Sequence, residues 1–144
     1  SKSMHRVISS NQFSFTFNKA FESVMRNCKT VTRKGEQGTW IQEEMIEAYC
    51  SLNKMGFACS GETWKEGNLV GGLYGVKLGK IFFGESMFST VSNASKFAFI
   101  KFVQHLQEAD VKLIDCQMQT DHLVSMGATM ISREVFNKIL QEYV

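Results

Sequence analysis

Apolar residues along this chain recur at two spacings, every third or fourth position in some stretches and every second in others, and these two periods predict its elements. Phe21, Val24, Met25 and Cys28 fall at helical spacing, with Asn18 placed to cap a helix through about Cys28. Lys29–Gly38 is polar and punctuated by glycine, which predicts a loop. A second helix is expected over Gln42–Met55, with Met45, Ile46, Tyr49 and Leu52 on one face and Gly56 as its stop. Its Glu43, Glu44 and Glu47 suit the positive end of the helix dipole. The period then changes to two. Phe57–Glu66, Leu69–Leu78 and Lys80–Ser89 predict an antiparallel meander joined by tight turns at Glu66–Asn68 and Leu78–Lys80. Phe13, Phe15 and Phe17 alternate like a brief strand ahead of the first helix. Ser92 or Asn93 is placed to cap a third helix over Ala94–Ala109, with Ala98, Phe99, Phe102, Val103 and Leu106 facing inward. Lys112–Met118 follows as a short strand, expected to lie parallel to an earlier one. Gln119–Met126 is expected as a short helix ended by Gly127, and Thr129–Ile131 as a last strand. Ser132 then caps a C-terminal helix carrying Val135, Phe136, Ile139 and Leu140. Gly71, Gly72 and Gly75 in the central strand leave room either for a ligand or neighbouring backbone, or for a large aromatic packed over them. The whole reads as an α+β domain.

A chain of 144 residues is one domain, able to bury roughly two-thirds of its unfolded surface. It holds no apolar run near membrane-span length and no signal-peptide pattern. Cys28, Cys50, Cys59 and Cys116 are irregularly spaced without a C-x-x-C, and the three histidines are scattered. This argues against a zinc or disulfide framework and for reduced thiols in the cytoplasm. The net charge of +2 conceals an asymmetry, because residues 1–34 carry Lys2, Arg6, Lys19, Arg26, Lys29, Arg33 and Lys34 against Glu22 alone. Such a segment suits a polyanionic partner, or is merely a soluble basic stretch. The chain begins at Ser1 and contains no proline, as a fragment or one domain of a longer protein would.

Chemistry concentrates in Lys80–Ser89, Lys-Ile-Phe-Phe-Gly-Glu-Ser-Met-Phe-Ser, where Glu85 interrupts the greasiest strand. A carboxylate removed from water costs several kcal/mol unless it is paired, so a strand of this kind keeps one only for a purpose. The plainer alternative is a Glu on the solvent face of an edge strand. Regular alternation puts Phe83, Glu85 and Met87 on one face and Phe82, Gly84 and Ser86 on the other. If Phe82 and Glu85 serve one pocket, the strand must break step, which predicts a β-bulge or splay near Gly84. In Ile114-Asp-Cys-Gln117, Asp115 and Gln117 share a face and Cys116 points away. An aspartate beside an amide can fix which way that amide points; otherwise both side chains make strand-end hydrogen bonds. Cys116 has no histidine near it in sequence and reads as a small buried hydrophobe rather than a nucleophile.

Gly71-Gly-Leu-Tyr-Gly75, Phe83-Gly-Glu-Ser-Met-Phe-Ser89, Asn93-Ala-Ser-Lys96, Leu113-Ile-Asp-Cys-Gln117 and His122 through Met126-Gly-Ala128 run in an order that resembles the leucyl/phenylalanyl-tRNA–protein transferases. Ser3-Met-His-Arg6 and Gly38-Thr-Trp-Ile41 fit the same pattern. The resemblance spans nearly the whole chain, and it implies a GNAT-like acyltransferase fold with a mixed, mostly antiparallel sheet flanked by helices. Residues 1–144 would be the catalytic domain, with the family's smaller N-terminal domain absent.

What the resemblance implies is transfer of Leu or Phe, and less well Met, from aminoacyl-tRNA to the N-terminal Arg or Lys of an acceptor protein, marking it for degradation. Glu85 would meet the α-amino group of the aminoacyl ester, with Asp115 and Gln117 as the catalytic pair. Leu73, Phe82, Phe99, Phe102 and Ile114 would line the side-chain pocket, and Trp64 would pack against the terminal adenosine. Lys2, Arg6, Arg33 and Lys34 are the expected tRNA contacts; no cofactor, metal or membrane is implied. An activated ester and an amine of pKa about 7.7–8.0 need little acid–base help. Holding them together supplies on the order of 7–11 kcal/mol. In this reading Gln117 orients the attacking amine and Asp115 fixes Gln117. Two other classes compete: a CoA-dependent GNAT N-acyltransferase, and a non-catalytic module binding tRNA ends or N-termini. The first needs a glycine-rich, arginine-led pyrophosphate turn, and Met87–Ser95 holds neither glycine nor arginine. The second needs Glu85, Asp115 and Gln117 to be structural.

Overall fold

The structure, a computed structural model, describes residues 12–35 and 42–116, with Lys138, Gln141 and Glu142 near the end of the chain. Gln117, Lys2, Arg6 and the elements expected after residue 118 lie outside the described residues. The elements in order are β1 (Ser14–Phe17), α1 (Phe21–Gly35), α2 (Glu43–Lys54), β2 (Ala58–Lys65), β3 (Asn68–Leu78), β4 (Ile81–Ser89), α3 (Ala94–Glu108) and β5 (Leu113–Asp115). One sheet runs β1-β2-β3-β4-β5, antiparallel through β4, with β5 parallel to β4 as expected.

The hairpin turns account for the meander. Glu66 and Gly67 both have positive φ, the left-handed pair of a type I′ turn, and Gly79 takes φ +60° at the first position of the next. Both turns twist with the strands, so β2, β3 and β4 pair without long loops.

Helix boundaries needed two corrections. Asn18 has φ +56°, so it does not cap α1, which starts at Phe21. Its N–H instead donates to the Ser60 carbonyl at 2.7 Å, and its side-chain oxygen accepts from Asn53 Nδ2 at 2.7 Å. At the other end, α1 continues to Gly35 through most of the stretch expected to be a loop. No glycine or proline interrupts it before Gly35, and Arg26 and Lys29 pair with Glu43 of α2 at 3.0 and 3.2 Å. α2 ends as expected: Gly56 has φ +88°, its N–H reaches the Asn53 carbonyl, and the Phe57 N–H reaches the Leu52 carbonyl, a Schellman closure.

The helices cover both faces of the sheet. On one face Phe21, Val24, Met25 and Cys28 of α1 and Ile46 of α2 pack with Ala58, Tyr74 and Phe88. On the other, Ala98, Phe102 and Leu106 of α3 pack with Cys59, Leu73 and Phe82. The central-strand glycines serve this packing rather than a ligand. A Cβ at Gly75 would meet the Phe82 ring at 2.5 Å and the Phe83 carbonyl oxygen at 2.2 Å; one at Gly71 would meet backbone of Ala94 at 2.8 Å. The first lets an aromatic lie flat on the sheet, and the second seats the start of α3.

Candidate active site

The expected break in β4 is present. Tyr74 pairs with Ser86, but the next residue of β3, Gly75, pairs with Gly84, leaving Glu85 as the extra residue of a bulge. The bulge exchanges the faces of everything after it. Phe82 faces α3, while Ser86 and Phe88 face α1 and α2, and Met87 joins Leu73 on the α3 side.

Among the described residues, β4 and β5 pair over Ile81–Phe83 and Leu113–Asp115. Lys112 N–H donates to the Lys80 carbonyl at 2.7 Å, and Asp110 bridges Lys80 and Lys112 at 3.0 and 2.7 Å, so the two strands are pinned where they begin. Glu85 lies two residues past the last described pair. Asp115, paired with Phe83, faces the α1/α2 side, as Glu85 does; Ile114, paired with Phe82, faces α3. The carboxylates and the apolar group thus occupy opposite faces of the sheet.

Glu85 is partly buried, and the Tyr49 hydroxyl of α2 hydrogen-bonds to it. Burial raises its carboxyl above the ordinary carboxylate range, and the Tyr49 bond opposes this by favouring the charged form. Tyr49 itself is raised, first by burial and then by the Glu85 charge. Tyr74 packs edge-on to Tyr49 with ring centroids 5.9 Å apart, and its hydroxyl is buried without a hydrogen-bond partner.

Leu73, Phe82, Phe102 and Ile114 come together on the α3 face, with Phe82 and Phe102 edge-to-face at 4.9 Å. Sequence reasoning missed Met87 as a member of this group and read Leu106 only as core. The expected bulge, carried through to the next residue, would have placed Met87 there. Phe99 is buried but stands apart, because Ala98 and Phe102 take the sheet-facing positions and the next residue is turned about 100° round the helix. Trp64 also stands apart. It shares the α1 face with Ser60 and Glu62 by strand parity, opposite the face of Leu73 and Phe82. Its indole N–H donates to Thr16 Oγ1 at 2.8 Å. Thr16 Oγ1 in turn donates at 2.6 Å to Glu62, a fully buried carboxylate that also accepts from Ser60 Oγ at 2.5 Å and the Lys19 N–H at 3.0 Å. Arg33 and Lys34 lie in the last turns of α1.

The cysteines are free, and burial pushes the Cys28 and Cys59 thiols up to about 12. Cys116 is raised as well, by burial and then by the Asp115 charge, the opposite of an activated nucleophile. Among the described residues no three His, Cys, Asp or Glu side chains are placed to hold a metal ion. No described helix is long and apolar enough to cross a membrane.

Residues 1–141 match the family described as leucyl/phenylalanyl-tRNA protein transferase. A protein of that name from Flavobacterium johnsoniae is 52% identical over 141 residues, covering 98% of this chain and 66% of its own length. Another from Hydrogenovibrio crunogenus is 50% identical over 141 residues, covering 98% and 55%. The chain therefore spans between about half and two-thirds of these two relatives. Among solved structures, an aminoglycoside acetyltransferase from a soil metagenome matches with TM-score 0.64 at 14% identity, over 86% of this chain and 93% of that one. A ribosomal-protein-alanine N-acetyltransferase from Brucella melitensis matches at 0.59 and 9% identity, over 83% and 93%. At such identities these structures show a shared GNAT fold.

Proposed function

The chain belongs to the leucyl/phenylalanyl-tRNA–protein transferase family, and from that premise we propose that it transfers Leu, Phe or Met from aminoacyl-tRNA to the N-terminal Arg or Lys of an acceptor protein, in the cytoplasm. The observation that carries this is the bulge at Glu85, which sets a carboxylate just past the last described β4–β5 pair with an apolar group on the reverse face. The aminoacyl group straddles the sheet there. Its α-ammonium meets Glu85 on the α2 side, and its side chain reaches beyond the last described β4–β5 pair to Leu73, Met87, Phe102 and Ile114. Asp115 lies on the ammonium side by strand parity, and in this reading its role is to orient Gln117. The acceptor amine attacks the ester carbonyl, an amide bond forms, the C–O bond to the tRNA ribose breaks, and the amine proton leaves to solvent or the released hydroxyl.

A CoA pyrophosphate does not fit this chain. The N–H groups that would cradle it at the start of α3 are engaged: Ala94 N–H with the Val91 carbonyl at 3.3 Å, Ser95 N–H with Ser89 Oγ at 3.2 Å. Asn93, with φ +70° and no side-chain cap bond, closes the turn. Incubation with labelled phenylalanyl-tRNA and an Arg-ended peptide should move label into the peptide. Label that stays on tRNA, with peptide or tRNA still bound, would leave only a binding module.

A further inference from the structure

The Tyr74 hydroxyl is the one buried side-chain polar atom among the described residues without a hydrogen-bond partner, and buried donors left in this state are rare in folded proteins. Tyr74 is fully buried and pairs with Ser86, the residue directly after the bulged Glu85. Its neighbours narrow what the hydroxyl can serve. The Cys28 sulfur, a weak acceptor, already interacts with the Ser86 hydroxyl. The Tyr49 hydroxyl spends its hydrogen on Glu85. An ionised carboxylate offers about four acceptor positions, and Tyr49 fills one of those on Glu85. Glu85 is the strong acceptor with capacity to spare.

We propose that Tyr74 is a positioning residue for Glu85, its buried hydroxyl donating to that carboxylate, directly or through one water, when the aminoacyl ammonium group is bound. The role rests on the assignment of Glu85 to the ammonium made above. The titratable groups near Glu85 are Tyr49 from α2 and Tyr74 from β3, with Cys28 from α1 beside Tyr74 and Asp115 from β5 on the same face of the sheet. Two phenols then hold the carboxylate from neighbouring positions, so that burial does not drive it to its neutral form. Tyr74 itself is strongly raised by burial and stays protonated, a donor at every working pH.

The test is Tyr74→Phe, which removes one oxygen and keeps the ring. Isotope-edited NMR titration of the Glu85 carboxyl, read without turnover, should give an apparent pKa about one unit higher in the variant. The acid limb of the transfer pH profile should move by the same amount, with about a tenfold loss on that limb and wild-type rates near pH 8.5. In a Glu85→Gln background the same substitution should change nothing further. Superimposed titration curves, or an equal loss in the Glu85→Gln background, would overturn the proposal. Failure of the wild-type chain to transfer label at all would count against the function and not against this bond, since the carboxyl titration decides the bond alone.

Discussion

Glu85 and Glu62 show how differently two carboxylates in one sheet can be used. Glu62 is fully buried and meets three donors, so it ties the β1–α1 corner to β2. Replacing it with alanine strands Ser60, Thr16 and the Lys19 N–H, which should cost about 2–4 kcal/mol in urea unfolding. Trp64 fluorescence should change with it, because Thr16 loses its anchor. Glu85 is the reverse case, a carboxylate raised by burial with one phenol against it. A raised folded-state value means this group contributes most to stability below its unfolded value of about 4.3, and that contribution is lost as pH rises through the folded value. Glu85→Gln should therefore melt at the same or a higher temperature at pH 7–8, with the difference vanishing below about pH 4. Transfer should fall roughly tenfold to a hundredfold for the lost charge-assisted hydrogen bond of about 1.5–3 kcal/mol, and its acid limb should disappear.

At the scale of elements, β4 decides the site. Without the extra residue, Phe82 and Phe88 would share a face; with it, Phe82 lies on α3 and Phe88 on α1. The partner strand accommodates this by carrying glycine at 75, beneath the Phe82 ring. Gly75→Ala would force a methyl into the Phe83 carbonyl and that ring, and backbone cannot yield as a flexible side chain does. A loss of about 1–3 kcal/mol or more in chemical denaturation is expected, with weakened near-ultraviolet circular dichroism from displaced aromatics. α1 teaches a second point. Its basic second half read as loop because it lacks an apolar stripe, yet ion pairs to Glu43 and the absence of any breaker before Gly35 keep it helical.

For the whole molecule, the proposed function puts charge recognition and side-chain recognition on opposite faces of one sheet, beside the last described β4–β5 pair. On that proposal selectivity rests with the α3 face. A slot floored by Phe82 and Phe102 should prefer leucyl and phenylalanyl over valyl groups by only ~1–3 kcal/mol, about tenfold to two-hundredfold in competing transfer assays. Phe102→Ala should narrow that ratio more than it changes tRNA affinity. The N-terminal charge excess is smaller in space than along the chain, since Arg26 and Lys29 are neutralised by Glu22 and Glu43.

Periodicity and turn chemistry determined from sequence alone the meander, the parallel β5 and the helices' apolar stripes, because each depends on residues close together in the chain. The break near Gly84 is expected only on the premise that Phe82 and Glu85 share a pocket, and the bulge that is present leaves those two on opposite faces. Which face a side chain takes beyond an irregularity depends instead on the ladder partner, which lies on another strand. That is why Met87 was missed, why Phe99 and Trp64 fall away from Leu73 and Phe82, and why the glycines of β3 proved to be seats for Phe82 and Ala94. The meeting of Glu85 with Tyr49 belongs to tertiary structure for the same reason: α2 must pack on the β3–β4 hairpin before Tyr49 joins Glu85 and Tyr74.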